Sequence, residues 1–319
     1  MIKAEIIADS ISPKGFRLTT FILEFPRFIL AEVNTHRVLS KNAASSRAIP
    51  IEKMIQQVID NPAMPTWWGK NQSGMQAKEE LNATENTFEV NGILGSYNTT
   101  PRRFCQDEWL RARDAAIESA RAMSAAGLHK QIANRLLEPW FNIRVILSGT
   151  DFGNFFALRA HPDAQPEFQE LAYKMLEEYN KSDPIVKKKG QWHIPFGDKM
   201  DMEKLFLLDE FDEAFAHFDK SREDGGLEYD KRINEIKIKI AVARCARVSY
   251  FNFEGTDDYA KDIAICNKLF GSVPRHLSPT EHVAMVTDTY EMYGNFHDWK
   301  QYRKFFDGEN LIDKRIVHK

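Results

Sequence analysis

Thr35-His36-Arg37-Val38-Leu39-Ser40-Lys41-Asn42-Ala43-Ala44-Ser45-Ser46-Arg47 sets an imidazole, two guanidiniums, four hydroxyls and a carboxamide into thirteen residues with little apolar content. Such a stretch is suited to holding an anion, because forked cationic donors and hydroxyls are the groups a phosphate oxygen recruits. Upstream, Arg17 to Phe25 is β-branched and aromatic and reads as a strand. Pro26 then opens a short helix through Phe28, Ile29 and Val33, which leaves His36 and Arg37 near a helix end. From Ser40 to Pro50 the residues are small and polar, the composition of a loop whose amides and hydroxyls approach phosphate while Arg37 and Arg47 supply charge. A solvated loop with surface arginines is the competing reading of the same composition.

At 319 residues and 43% apolar content the chain can bury a sizeable core, in one large domain or two modest ones. A net charge of −3 argues against coating a nucleic acid polymer, which takes a broad basic surface to displace counterions. Any anion site must be local. Cys105, Cys245 and Cys266 are widely spaced with no CxxC pair, so neither a disulfide framework nor a cysteine zinc site is supported. No apolar run approaches the ~18 residues of a membrane span, and Met1-Ile2-Lys3-Ala4-Glu5 lacks the basic and apolar regions of a signal peptide, so a cytoplasmic protein is expected.

Residues 52 to 60 read as a short helix, and Trp67-Trp68-Gly69 beyond it as either a surface that stacks a planar ligand or, the favoured reading, an aromatic anchor for a long loop. Gln106 to Ala126 is rich in Ala, Arg, Glu and Leu and stops at Gly127; helical character resumes from Leu128 to Leu137 and ends at Glu138-Pro139. Phe141 to Leu147 reads as a strand, and Ser148-Gly149-Thr150-Asp151 as the turn capping a helix that carries Asn154 and Arg159. Phe168, Leu171, Met175 and Tyr179 recur at helical spacing as a core stripe. Residues 182 to 232 are hydrophilic and read as a surface excursion, with an acidic stretch at 209–213 and Gln191 to Pro195 as a lid or a packed histidine. Ile236, Ile238 and Ile240 alternate with lysines at the period of a half-buried strand, and a helix is expected near 257 to 269. His276, Glu281 and His282 invite a metal reading, but the order is not HExxH and Pro279 breaks any helix that would align them, so no metal is expected.

Taken together, these pieces resemble the flavin-dependent thymidylate synthases. That family's signature is Arg-His-Arg followed by Ser-x-Asn-x-x-Ser-x-Arg, and Thr35-His36-Arg37 with Ser40, Asn42, Ser45 and Arg47 keeps all but the first arginine. A second family stretch looks like Arg135 to Pro139 and Asn154 to Glu167. The third is displaced: Ala246-Arg247-Val248-Ser249 and His276-x-Ser278-Pro279-x-Glu281-His282 come last here, whereas the family carries them first. A circular permutation is inferred, a cheap rearrangement when the old termini lie close together at the surface.

The resemblance implies an α+β fold with a mixed or antiparallel sheet and long helices, in a single 1–319 domain with elaborations at 52–105 and 182–240. It implies FAD, with NADPH and methylenetetrahydrofolate as co-substrates, a pyrimidine deoxynucleotide monophosphate, dUMP, as substrate, and a homotetramer with shared active sites. His36, Arg37, Asn154 and Ser278 look like flavin positions. Ser45, Ser46, Arg47 and Arg135 look like dUMP positions, Arg159 resembles the arginine that stabilises the N3-deprotonated pyrimidine, and His276 resembles a histidine needed near the flavin. Thr35 replaces an arginine, Glu32 a glutamine, Ala43 an acidic residue, Asp163 a histidine, and Ser148-Gly149-Thr150 an Asn-Ala-Arg. Gln301, Arg303 and Glu309 are of the missing types and are expected to fold back in compensation, the first two toward nucleotide and the third toward cofactor. Two alternatives stand beside this: a related flavin chemistry such as hydroxymethylation of another nucleotide such as dCMP, and a nucleotide-binding protein without catalysis.

Overall fold

β1 (Lys3–Ile11) and β2 (Arg17–Pro26) pair antiparallel, Lys3 facing Glu24 at one end and Ile11 facing Arg17 at the other. The structure, a computed structural model, describes residues 2–90, 92–209, 211, 225–250, 258–307 and 309. A 3-10 turn at Arg27–Ile29 leads into α1 (Leu30–Asn34), so the strand runs through Pro26 and the helix starts later than the proline signal indicates. β3 (Ser40–Ala43) follows, then α2 (Ile51–Asp60), the hairpin β4 (Thr87–Val90) and β5 (Ile93–Ser96), and the long α3 (Pro101–Ala125). A single turn, α4 (Lys130–Ala133), and a 3-10 segment at Asn134–Trp140 precede β6 (Asn142–Gly149). α5 (Gly153–Arg159), α6 (Pro166–Lys181), β7 (Ile185–Val186), β8 (Trp192–His193) and α7 (Met202–Phe206) come next. α8 (Gly225–Tyr250), α9 (Tyr259–Gly271), a 3-10 turn at Ser278–His282, β9 (Ala284–Val286) and β10 (Trp299–Gln301) complete the described elements.

The central sheet has the order β3-β6-β2-β1-β7, antiparallel except where β7 runs parallel to β1. A smaller antiparallel sheet orders β10-β9-β8. The chain is therefore α+β with a mixed sheet. Alternation on β2 and β6 sends Phe21, Leu23, Phe25, Ile143, Val145 and Leu147 into one core, where they meet Phe168, Leu171, Ala172 and Met175 of α6. Each of these side chains larger than Ala172 contributes about 1.5–3 kcal/mol when fully buried. The opposite face carries Ile146 and packs against α8 in a second core with Ile238, Ile240 and Val242.

Two expectations are corrected. Ile236, Ile238 and Ile240 lie on helix α8, not on a strand. From Ile240 to Val248 every residue but the half-buried Arg244 is buried, and a helical stretch enclosed on all sides has no apolar stripe to display a 3.6-residue period, while the half-buried Lys237 and Lys239 between isoleucines mimic strand alternation. Ser40 to Ala43 are not loop: they pair with β6, Ser40 opposite Ser148 and Asn42 opposite Ile146. Their polar side chains are satisfied by other elements: Ser40 receives Asn295 and Gln301, and Asn42 donates to the Cys245 carbonyl of α8. Of the acidic stretch at 209–213, only Asp209 and Phe211 fall among the described residues.

Candidate functional site

α1 ends where the Thr35 amide and hydroxyl both donate to the Glu32 carbonyl, at 3.1 and 2.6 Å, and the chain turns to bury His36 at 9% exposure. Arg159, the last residue of α5, reaches the same place: its Nε donates to His36 Nε2 at 2.9 Å and Nη2 to the Thr35 hydroxyl at 3.3 Å, while its guanidinium lies over the Phe168 ring at 4.9 Å. A guanidinium N–H only donates, so Nε2 of His36 is the acceptor, its proton sits on Nδ1, and the imidazole is neutral. Burial, with the charges of Arg159 and Lys41 behind it, holds the His36 pKa below its ordinary value. Thr35, in the place of the signature's first arginine, thus serves as Arg159's second anchor. Lys41 donates to the carbonyls of His36 and Leu39, and burial lowers its pKa to about 8. Composition gave no reason to single out Lys41 in a strand read as loop.

The segment after β3 presents Ser45, half-buried, then Ser46, buried, and Arg47, exposed, on a 3-10 turn at Ser46–Ala48. Asn134, fully buried, holds this turn in place by donating through Nδ2 to the carbonyls of Ser46 (2.7 Å) and Ile49 (2.9 Å). The Ser46 hydroxyl donates to Glu138 at 2.6 Å and Arg135 donates to the same carboxylate oxygen at 2.9 Å, while Arg27 pairs with the other oxygen at 3.1 Å. The structure thus brings Ser46 and Arg135 together around a carboxylate. Glu138 has no prominence in the sequence because two of its three partners lie at positions 27 and 46; the only local signal is an acid between Leu137 and Pro139, three residues after Arg135.

The third stretch lies against the first. Gln301, buried, donates through Nε2 to the Ser40 hydroxyl (2.9 Å) and to the Glu281 carbonyl (2.9 Å), and Asn295 also donates to Ser40 (3.0 Å). The Ser278–His282 turn is thereby held against β3. Arg303 pairs with Glu281 and, at 2.6 Å, with Glu309, whose other oxygen takes Lys304 at 2.8 Å. Gln301, Arg303 and Glu309 are thus committed to partners within the chain. His276 and Ser278 are exposed, as are Arg37 and Asn154. Arg247 of the Ala-Arg-Val-Ser segment shares the buried Asp262 with Arg244, which fixes α8 to α9; the side chain of Ser249 lies outside the described residues. Glu281 is on Arg303, His282 is buried in a hydrogen-bonded chain and His276 faces solvent, so this trio does not converge. His193 is likewise packed, not on a lid: it is fully buried on β8. Trp68 stacks edge-on to Trp109, which meets Trp140, as an anchor would.

A family model described as thymidylate synthase complementing protein matches residues 12–185. That span contains the first two stretches and ends before the third. Among solved structures, the UMP/dUMP methylase PolB from Streptomyces cacaoi, bound with 5-Br dUMP, aligns at 16% identity with a TM-score of 0.42, covering 58% of this chain and 91% of its own. No curated protein matches the chain.

Proposed function

Since the chain belongs to the thymidylate synthase complementing protein family, we propose that it is a flavin-dependent enzyme that methylates dUMP at C5, taking the one-carbon unit from methylenetetrahydrofolate and reducing power from NADPH, as a homotetramer with active sites shared between chains. The observation that carries this reading is Arg159, locked through Nε onto a neutral imidazole and through Nη2 onto Thr35. Its Nη1 has no protein partner among the described residues. A guanidinium held this way beside N3 and O4 of a uracil stabilises the negative charge of the N3-deprotonated base and enriches C5 in electron density.

No cysteine nucleophile is needed for such a route, and none is poised: burial pushes the thiol pKa of Cys245 up strongly and that of Cys266 to about 12. The phosphate would be met by Ser45, Ser46, Arg47 and Arg135. FAD fits the remaining donors, because Arg37, Asn154 and Ser278 are exposed and their side chains make no hydrogen bond among the described residues. When bound, FAD supplies the hydride that completes the methyl group. His36 orients Arg159, and Gln301 and Arg303 act by holding the Ser278–His282 turn in place rather than by touching nucleotide.

Glu32 favours a second reading. Its Oε2 is buried without a hydrogen-bond partner among the described residues, on α1 four residues before His36. A carboxylate there accepts from an exocyclic amine, which cytosine has and uracil lacks. The test is product mass analysis after incubation with FAD, NADPH, methylenetetrahydrofolate and either dUMP or dCMP, with Arg159→Ala as control. dTMP formed by the wild type and absent from the control supports the first reading; product from dCMP alone selects the second. Flavin and nucleotide both bound with no product from either would leave a binding protein.

A further inference from the structure

Five buried polar side chains run in single file across the sheet. Ser10 Oγ lies 3.0 Å from His193 Nδ1, His193 Nε2 is 2.8 Å from Thr20 Oγ1, Thr20 Oγ1 is 2.7 Å from Ser148 Oγ, and Ser148 Oγ is 2.8 Å from His282 Nδ1. None of the five exceeds 3% exposure. Both ends are open in a chemical sense. Ser10 lines a small cavity of about 120 Å³ together with Lys187, Asp198, Asn234 and Lys237, room for a few waters. At the other end, Nε2 of His282 is buried with no partner among the described residues, on the turn that Gln301 ties to Ser40.

Every member of the file both donates and accepts, and four links between three hydroxyls and two neutral imidazoles can be completed in two concerted ways. In one, Ser10 donates to His193 Nδ1, His193 Nε2–H to Thr20, Thr20 to Ser148, and Ser148 to His282 Nδ1, which leaves the His282 proton on Nε2. In the other, every donor is reversed, both imidazoles carry their proton on Nδ1, and Nε2 of His282 is a bare lone pair. Burial keeps both rings neutral, with pKa values of about 3.

We infer that this file is a proton wire between the buried, unpartnered Nε2 of His282 on the Ser278–His282 turn and the Lys187–Asp198–Lys237 cavity. A proton accepted at Nε2 of His282 in the second arrangement shifts every link by one, and Ser10 releases its former hydroxyl proton to water in the cavity, with Asp198 as the carboxylate there. The first arrangement results, set to carry the next proton the opposite way. The wire's use rests on the function proposed above: substitution at C5 requires that carbon to give up a proton, and the amine freed from methylenetetrahydrofolate requires one back. One proton out and one in return the file to its starting state.

The experiment is long-range proton–nitrogen correlation NMR on the full chain labelled with nitrogen-15 histidine, with resonances assigned through His193→Gln and His282→Gln. The wire requires His193 and His282 to share one tautomer, both Nε2–H or both Nδ1–H, or to exchange between the two together. Opposite tautomers, or exchange of one ring alone, overturn it whatever the activity. Thr20→Val, which keeps the shape and removes the hydroxyl, should uncouple the two rings and slow release of tritium from C5-tritiated dUMP at least ~10-fold, with dUMP affinity within about twofold. Thr20→Ser should restore both. Release at the wild-type rate in Thr20→Val overturns the wire. Shared tautomers in a protein that binds no dUMP would uphold the wire and sink the substrate.

Discussion

Glu138→Gln should tighten nucleotide binding. The Glu138 carboxylate holds the Ser46 hydroxyl at 2.6 Å, Arg135 at 2.9 Å and Arg27 at 3.1 Å, with 18% of its side chain exposed. These are the donors a nucleotide phosphate needs, so the acid stands in for the anion and must yield when one arrives. The hydrogen bonds surrendered by Glu138 are replaced by bonds to phosphate and roughly cancel. What remains is repulsion between the displaced carboxylate and the phosphate, about 3 kcal/mol for unit charges ~6 Å apart at an effective dielectric constant of ~20. Arg135 is half-exposed, and solvent screening brings the expected gain down to about 1.5 kcal/mol, roughly tenfold in Kd. Glutamine keeps the acceptor for Ser46 and removes only the charge. Calorimetric titration with dUMP, and with deoxyuridine as the phosphate-free control, measures the effect: dUMP should bind about tenfold tighter and deoxyuridine should not change. An unchanged or weakened dUMP affinity in a folded Glu138→Gln protein would refute the stand-in, and equal tightening of deoxyuridine would place the effect away from the phosphate.

Asn134→Ala strips two buried carbonyls of their donor and should cost about 2–4 kcal/mol in urea unfolding, a loss under ~0.5 kcal/mol showing that water replaces the amide. Acid should destabilise the fold well above the carboxylate range. His193 and His282 have folded pKa values of about 3 against ~6.5 unfolded, so below pH ~6.5 the unfolded chain binds protons that the fold excludes and stability falls with pH. About 4 kcal/mol should be lost between pH 7 and 5, and a flat urea midpoint over that interval would contradict the burial of two neutral rings. Gly294 has φ +82°, and a Cβ on it would lie 1.9 Å from Gln301 Oε1. Gly294→Ala should therefore dislodge Gln301 from Ser40 and lower the melting temperature by several degrees for a loss of ~1 kcal/mol or more, whereas an unchanged melt would show that Gln301 is not a clamp.

What the sequence disclosed follows from which faces are buried. β2, β6 and α6 bury one apolar set against a common core, so alternation on the strands and the Phe168–Leu171–Met175 spacing on the helix both survive into the residue pattern. α8 hides every side from Ile240 onward and there loses the helical period, and its half-buried lysines between isoleucines imitate a strand. β3 is invisible for the opposite reason, because Ser40 and Asn42 make polar contacts that look like loop composition in one dimension. Arg159 beside His36 was foreseeable as a site only through the resemblance, since 123 residues separate them. The Glu138 cluster and the Ser10–His282 file are not legible in one dimension: the first gathers residues from three separate 3-10 segments, and the second draws one polar residue from each of five elements, three of them strands whose register in the central sheet sets Ser10, Thr20 and Ser148 in place.

That register also bears on the circular permutation proposed for the third stretch. A segment moved from one end of a chain to the other keeps its role only if something other than chain connectivity returns it to its place. Here two polar clamps stand on adjacent strands directly opposite one another, Ser40 on β3 and Ser148 on β6. Ser40 receives Gln301, which also holds the Glu281 carbonyl, and Ser148 meets the His282 ring. Neighbouring residues of one turn are thus fixed to neighbouring strands. Buried hydrogen bonds of this kind add little net stability when made and cost about 1–3 kcal/mol each when one partner is lost, so they reject a turn docked one residue out of register more strongly than they favour the correct one. Apolar packing alone would tolerate that slip, and the hydroxyls on β3 and β6 do not.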